Sequence, residues 1–352
     1  MSAAKLSGPP RAPRAETRRA AGRLVATVVV MARPSAKEER DGVPLSNLDQ
    51  PLFDGADATK RDLVDYLDGV RDRILPELEQ RPLSVIRVHR GQEAFMQKNV
   101  PRYTPDWVPT IDHWAQSSKR NVTYALCNDR RTLLWFANQR AVEYHPTLVR
   151  ADAPDHVSHL VLDLDPPDGE SFPAVVRVTA LVREALAAVG LDGAVKTSGA
   201  KGVHVFVPID DEAPLADSAA AARALAARVE ALDPAVATTE FVKDERGGKV
   251  FVDSTRVGGA TVVAAYSPRV RAGTPVSFPV GWDDLDDVRP ADFTVHTALG
   301  LLGDRDPWAE AMPSPQALPA ALIAQGHDIP VARVQAMHEG KRRARDRRTR
   351  GD

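Results

Sequence analysis

HLVLDLDPPDG, residues 159–169, has the residue types of a buried strand with acid at its end. Side chains alternate along a strand, so Leu160, Leu162 and Leu164 take one face, toward a core, and Val161, Asp163 and Asp165 take the other. The two carboxylates then share a face with their Cα atoms about 7 Å apart. At that spacing they can converge on one or two divalent cations, which in turn can hold a triphosphate and polarise an attacking hydroxyl. Two negative charges on an apolar strand cost folding energy unless a cation neutralises them. Oxygen donors of this kind suit Mg²⁺ or Mn²⁺ rather than zinc. The plainer alternative is a strand end whose aspartates cap the turn begun by Pro166-Pro167.

Three further stretches shift the balance toward chemistry. KTSGAKGVHVFVPI, residues 196–209, places a Gly-rich turn between two strands. Such a turn can offer backbone N–H groups and the Lys201 ammonium to phosphates, with Ser198 and Gly202 shaping it. It is not a Walker loop, which would run GxxxxGK[ST] into a helix. His204 lies in the strand that follows, where it can face the same pocket or serve the core. RGGKVFVDSTR, residues 246–256, ends an apolar strand on Asp253, a third carboxylate placed like Asp165, with Arg246 and Lys249 nearby. AAYSPRVR, residues 264–271, sets Arg269 after a Ser-Pro turn; arginine suits bidentate phosphate recognition, or simply a solvated surface.

The rest of the chain is organised around these motifs. Apolar residues at helical spacing predict helices over 58–78, 172–189 and 218–232. Strands are predicted at 83–89, 121–126, 132–136, 159–165, 194–197, 203–209, 250–253 and 261–266, with an irregular loop over 101–109. Scattered helices among more numerous strands make this an α+β chain with mixed sheets. The 352 residues, 43% hydrophobic and 27% charged, suffice for a substantial core. A formal net charge of -2 removes any global basic signature, so nucleic-acid contact needs a local patch. Cys127 is the only cysteine, which excludes an intrachain disulfide and a Cys-rich zinc site and fits a reducing cytoplasm. No apolar run reaches bilayer length. Residues 24–31, LVATVVVM, follow Arg18, Arg19 and Arg23 and imitate a signal peptide; the alternative is that translation starts at Met31. Residues 1–40 are expected to be disordered. The main domain is expected over 43–303. Residues 304–352 are expected to be peripheral and to end in a basic tail, KRRARDRRTR at 341–350, which is either a nucleic-acid arm or a solvated tail.

LDLDPPDG, TSGAKGVHVF, RGGKVFVD and YSPR, in that order, resemble the polymerase domain of the bacterial end-joining ligase D family, within the archaeo-eukaryotic primase superfamily. The resemblance runs from about Val43 to about Gly300. It implies a primase-polymerase fold, with an RRM-like catalytic module packed on a second, smaller sheet. It also implies template-directed nucleotide addition, ribonucleotides preferred, with Mn²⁺ or Mg²⁺. Carried across by position, Asp163, Asp165 and Asp253 match the metal ligands, and Ser198, Lys201, Gly202 and His204 the triphosphate contacts. Arg246 and Arg269 match arginines of that pocket, joined by His145 in VEYHP. Phe95 and Lys98, in AFMQKN, match a segment near nucleotide and template, where a ring can stack on a base. Asn47 and Lys60 match two residues that hold the 5′-phosphate of a DNA gap, but Gln50 stands where a middle lysine is usual. A glutamine lacks the charge-assisted hydrogen bond, which weakens the expected anchor. The resemblance is to free-standing actinobacterial members, with sealing left to a separate ATP-dependent ligase and ends held by a protein such as Ku. The alternative from another class is a non-catalytic protein that binds DNA ends or gaps and recruits repair enzymes.

Overall fold

The computed structural model describes residues 38–89, 91–115, 120–167, 172–257 and 260–331; the N-terminal extension and the basic tail lie outside them. In chain order, β1 (Glu38–Arg40) and β2 (Val43–Leu45) form a hairpin, followed by α1 (Lys60–Gly69) and α2 (Arg71–Leu78). Next come β3 (Leu83–Arg87), β4 (Phe95–Gln97), β5 (Thr110–Ala115), β6 (Arg120–Ala125), α3 (Arg130–Asn138) and β7 (Ala141–Pro146). A small hairpin, β8 (Val149–Arg150) and β9 (Ala153–Val157), leads to β10 (His159–Asp165) and α4 (Phe172–Ala187). Then follow β11 (Ala194–Thr197), β12 (Val203–Pro208), α5 (Leu215–Leu232), β13 (Ala237–Thr238), β14 (Val250–Asp253) and β15 (Pro279–Val280). Three short helices close the described chain: α6 (Ala298–Leu302), α7 (Pro307–Ala311) and α8 (Ala320–Asp328).

The larger sheet runs β13-β14-β10-β12-β11-β15. Its four central strands arrive in the order β10-α4-β11-β12-α5-β14 and lie as β14-β10-β12-β11, with each neighbouring pair antiparallel. That is the RRM-like arrangement, and α4 and α5 pack against β10, β12 and β14. Leu160, Leu162 and Leu164 are fully buried, as strand alternation requires for a sheet covered by helices. The second sheet, β4-β3-β6-β5 with β7 also paired to β3, is the smaller one.

Some local expectations change. Residues 132–136, expected as a strand, lie in α3: the Asp129 side chain accepts from Thr132 N at 2.7 Å and caps a helix whose Leu133, Leu134, Trp135 and Phe136 are all buried. A short apolar run buried on every side carries no period with which to separate strand from helix, and the cap decides. The helix expected over 58–78 breaks at Val70 into α1 and α2, and α1 begins with a capping box between Thr59 and Asp62. Residues 261–266 are not a strand. They make one bridge, Thr147 to Thr261, and amide bonds from Val262 and Ala264 to Pro146 and Tyr144. The segment ends on Tyr266 at φ 66°. Residues 304–331 are not peripheral: Trp308 and Leu322 are buried, α8 packs on α5, and Gln316 bridges Ile209. No helix among the described residues is long and apolar enough to cross a membrane.

Candidate active site

Antiparallel register converts separate motifs into one row. Lys196 on β11 lies opposite His204 on β12, His204 opposite Asp163 on β10, and Asp163 opposite Asp253 on β14. Directly opposed residues put their side chains on the same face, so two basic and two acidic side chains stand side by side across four strands. All four are buried, Lys196 completely. Asp165, two residues beyond Asp163, shares that face and is half-buried.

The row is internally bonded. Lys196 Nζ lies 2.9 Å from His204 Nδ1 and donates to Ser277 Oγ at 2.6 Å. His204 Nε2 is 3.1 Å from Asp163 Oδ1. Arg256 Nη2 and Nε donate to Asp163 Oδ2 at 2.7 and 3.1 Å, and Arg256 Nη2 lies 3.3 Å from Asp253 Oδ2. Burial alone would raise the Asp163 carboxyl, but His204 and Arg256 outweigh it and hold the group well below the usual carboxylate range. Burial, and then the neighbouring Asp163 charge, push Asp165 up to about 6. Burial, and then the Lys196 ammonium, push His204 down to about 4. Burial and Arg269 push Lys196 well below the usual lysine range.

Asp163 and His204 of this row line a cleft of about 460 Å³, whereas Lys196 and the expected site residue Asp253 lie outside its lining. Besides Asp163, Asp165 and His204, its lining includes Ser198, Lys201, Gly202, Arg246, Arg269 and His145, all expected from the sequence. It also includes Lys243, Arg256 and Arg271, to which the sequence reading assigned no role. Cations outnumber carboxylates, so the cleft suits a polyanion held beside a small acidic centre. Arg246 lies over the Phe251 ring at 3.8 Å and donates to the Glu240 and Phe241 carbonyls, which fixes its guanidinium at the rim. Arg269 Nη1 donates to the Ser198 carbonyl.

The Gly-rich turn is built differently from the expectation. Ser198 Oγ accepts from the amides of Ala200 and Gly202 at 3.2 and 3.1 Å, so those donors are engaged within the turn. Lys201 is exposed at the cleft and is the turn's charged contribution. Glycine is required at both ends of the turn. Gly199 has φ +66°, and a Cβ on Gly202 would lie 2.2 Å from the Leu164 carbonyl oxygen.

Among the described residues, no group of three or more His, Cys, Asp or Glu side chains is gathered closely enough to hold a metal ion. Arg256 occupies the space between Asp163 and Asp253. In the sequence, the spacing of three from Asp253 is the only signal that Arg256 joins the acidic row.

The remaining expected contacts lie outside this cleft's lining. Phe95 and Lys98 are exposed on and just after β4, with Phe95 stacked on His89 at 5.3 Å. Asn47, Gln50 and Lys60 are drawn together by backbone bonds from Gln50 N to Asn47 O and from Lys60 N to Gln50 O. Asn47 and Gln50 are exposed, whereas Lys60 is buried and donates to Ser46 O and Asn138 Oδ1, both at 2.6 Å. Burial, and then Arg140, bring Lys60 down to about 8. Arg140 donates to the Pro51 carbonyl at 2.6 Å, which brings its positive charge next to Gln50.

Residues 59–308 match the family model described as the LigD primase-polymerase domain. The chain belongs to that family. It is 35% identical over 266 residues to the multifunctional non-homologous end joining DNA repair protein LigD of Mycobacterium tuberculosis, covering 72% of this chain and 34% of that protein. It is 29% identical over 286 residues to the bifunctional non-homologous end joining protein LigD of Bacillus subtilis, covering 79% and 45%. The chain therefore spans between a third and a half of these LigD proteins. Among solved structures it is similar to the polymerase domain of M. tuberculosis ligase D in complex with DNA, with a TM-score of 0.69 and 32% identity, covering 78% of this chain and all of that one.

Proposed function

We propose that this LigD-family chain is a template-dependent nucleotidyltransferase that adds nucleotides, ribonucleotides by preference, to primer ends or short gaps during DNA end joining. The observation that carries this reading is the buried Asp163–Asp253–His204 row, of which Asp163 and His204, with Asp165 beside them, open into a cleft rich in arginine and lysine. A protein that only tethered DNA ends would need the cations but not buried carboxylates, whose desolvation is costly unless they have work to do.

The donor chemistry fits Mg²⁺ or Mn²⁺. Three hard carboxylates share one face, and Asp163 and Asp253 already meet one cation in common, the Arg256 guanidinium, at 2.7 and 3.3 Å. Asp163, Asp165 and Asp253 would hold the ions. The chemistry such ions would supply there is polarisation of the primer hydroxyl and neutralisation of the leaving pyrophosphate. The chain's own groups do the positioning. Lys201, Arg246 and Arg269 grip the triphosphate and spread its developing charge. His204, neutral at pH 7, is held between Lys196 and Asp163 and presents its ring to the cleft. No covalent intermediate is required. Phe95 and Lys98 offer a ring and a charge to the template strand. Asn47, Gln50, Lys60 and Arg140 offer a 5′-phosphate site. Filling a gap leaves a nick, so a ligase must act after this step.

The test is primer extension on a short gapped DNA with Mn²⁺, each nucleotide type supplied separately and Asp163→Ala run in parallel. Extension by the unaltered protein alone supports the reading. DNA binding without extension under any of these conditions would move the assignment to an end-binding protein.

A further inference from the structure

Glu143, on β7, is 4% exposed and does not line the cleft, yet three partners converge on it from the cleft side of the molecule. His145 Nε2 lies 2.8 Å from its Oε2, and Arg269 Nε pairs with the same oxygen at 3.1 Å. The Val270 amide donates to Oε1 at 2.8 Å. An ionised carboxylate only accepts, so the His145 Nε2 must carry the proton in that contact. Burial would raise the Glu143 carboxyl, but these partners keep it below the ordinary glutamate range, and it is charged at pH 7.

A buried anion beside a site for a polyanion opposes binding through its charge. Its presence needs a compensating role, and the geometry supplies one. Arg269 is restrained from two sides, by the ion pair with Glu143, in which its Nε makes no hydrogen bond, and by the hydrogen bond from Nη1 to the Ser198 carbonyl. Together they narrow the orientations open to the guanidinium, whose long side chain otherwise carries considerable rotamer freedom. The same carboxylate fixes the ring of His145, two residues along its own strand. Glu143 thus links the smaller sheet to the Arg269 segment of the catalytic half and sets two cleft-lining side chains at once.

We infer that Glu143 is a positioning residue for triphosphate binding, acting through Arg269 and His145. The inference rests on the nucleotidyltransferase reading. A pre-set guanidinium loses less conformational freedom when it engages phosphate, so the benefit appears in binding rather than in the chemical step.

The experiment uses Glu143→Gln, which keeps the volume and an acceptor oxygen but removes the charge that holds Arg269. Nucleoside triphosphate and inorganic tripolyphosphate binding are measured without DNA, and KM and kcat with gapped DNA. The expected result is a Kd and KM weakened about tenfold, the value of one charge-assisted contact, with kcat within about threefold and the melting temperature lowered only slightly. In an Arg269→Ala background, Glu143→Gln should cost much less, since the partner it positions is gone. A merely structural role would lower the melting temperature and leave Kd unchanged, and that outcome overturns the inference. So would full additivity of the two substitutions. A wild type that binds neither ligand would overturn the functional reading itself, whereas normal wild-type binding with an unaffected Glu143→Gln overturns this inference alone.

Discussion

Replacing Asp163 by asparagine separates the structural role this carboxylate has in the fold from the catalytic role proposed for it. In the fold it accepts from Arg256 at 2.7 and 3.1 Å and faces His204 at 3.1 Å. Breaking a fully buried pair by removing one partner costs about 3–5 kcal/mol. Here the cost is smaller, because the Arg256 side chain is 32% exposed and retains Asp253 at 3.3 Å. Asparagine also keeps an acceptor oxygen for Arg256. About 1–2 kcal/mol is the resulting figure, a few degrees of melting temperature for a domain of this size. Catalysis should fall far more. A lost metal-ligand charge at the reacting centre is expected to cost about a thousandfold or more in kcat/KM, about 4 kcal/mol of transition-state stabilisation. The assay is single-nucleotide extension of a gapped primer with Mn²⁺, alongside thermal unfolding of the same preparation. A folded Asp163→Asn protein within tenfold of wild-type activity would refute the reasoning, as would activity lost only in proportion to the unfolded fraction.

Chelating divalent ions with EDTA should abolish extension, and Mn²⁺ or Mg²⁺ should restore it; extension that survives exhaustive chelation would exclude the three-aspartate centre. Gly202→Ala places a Cβ 2.2 Å from the Leu164 carbonyl oxygen, a backbone atom that cannot move aside, and should cost about 3 kcal/mol, read as a drop in melting temperature near 10 °C. A Gly202→Ala protein as stable as wild type would show that the turn is not locked against β10. His159 is pushed down to about 3 by burial and then by Arg81, so the unfolded chain, titrating near 6.5, binds the proton first. Stability carried by the neutral ring is present above about pH 6.5 and is lost as pH falls toward 3. At pH 5 the loss is at most about 2 kcal/mol, an upper bound because part of the ring reaches solvent. Denaturant titrations at pH 7.5 and 5.0 on wild type and His159→Phe check this, and equal acid sensitivity in the two would be the contrary result.

Much of the site is legible along the chain because a strand's two faces are a local property. Alternation alone places Asp163 and Asp165 together opposite the buried leucines, and both line the cleft. The order of the acidic, Gly-rich and basic motifs was enough to point to the family, and the α+β class follows from periodicity. Residues 132–136 show where local pattern stops: LLWF has no solvent-facing position from which a period could be read, and the Asp129 cap makes it a helix. The roles of Arg256, Lys196 and Glu143 were hidden for a different reason. Arg256 meets Asp163 across 93 residues and Glu143 receives the Val270 amide across 127. Lys196 joins the row only because β11, β12, β10 and β14 lie in one antiparallel register. The sequence by itself determined which residues carry charge and which face of a strand they occupy. Tertiary structure alone decided which charges meet, because cross-strand register and loop closure are properties of the assembled sheet.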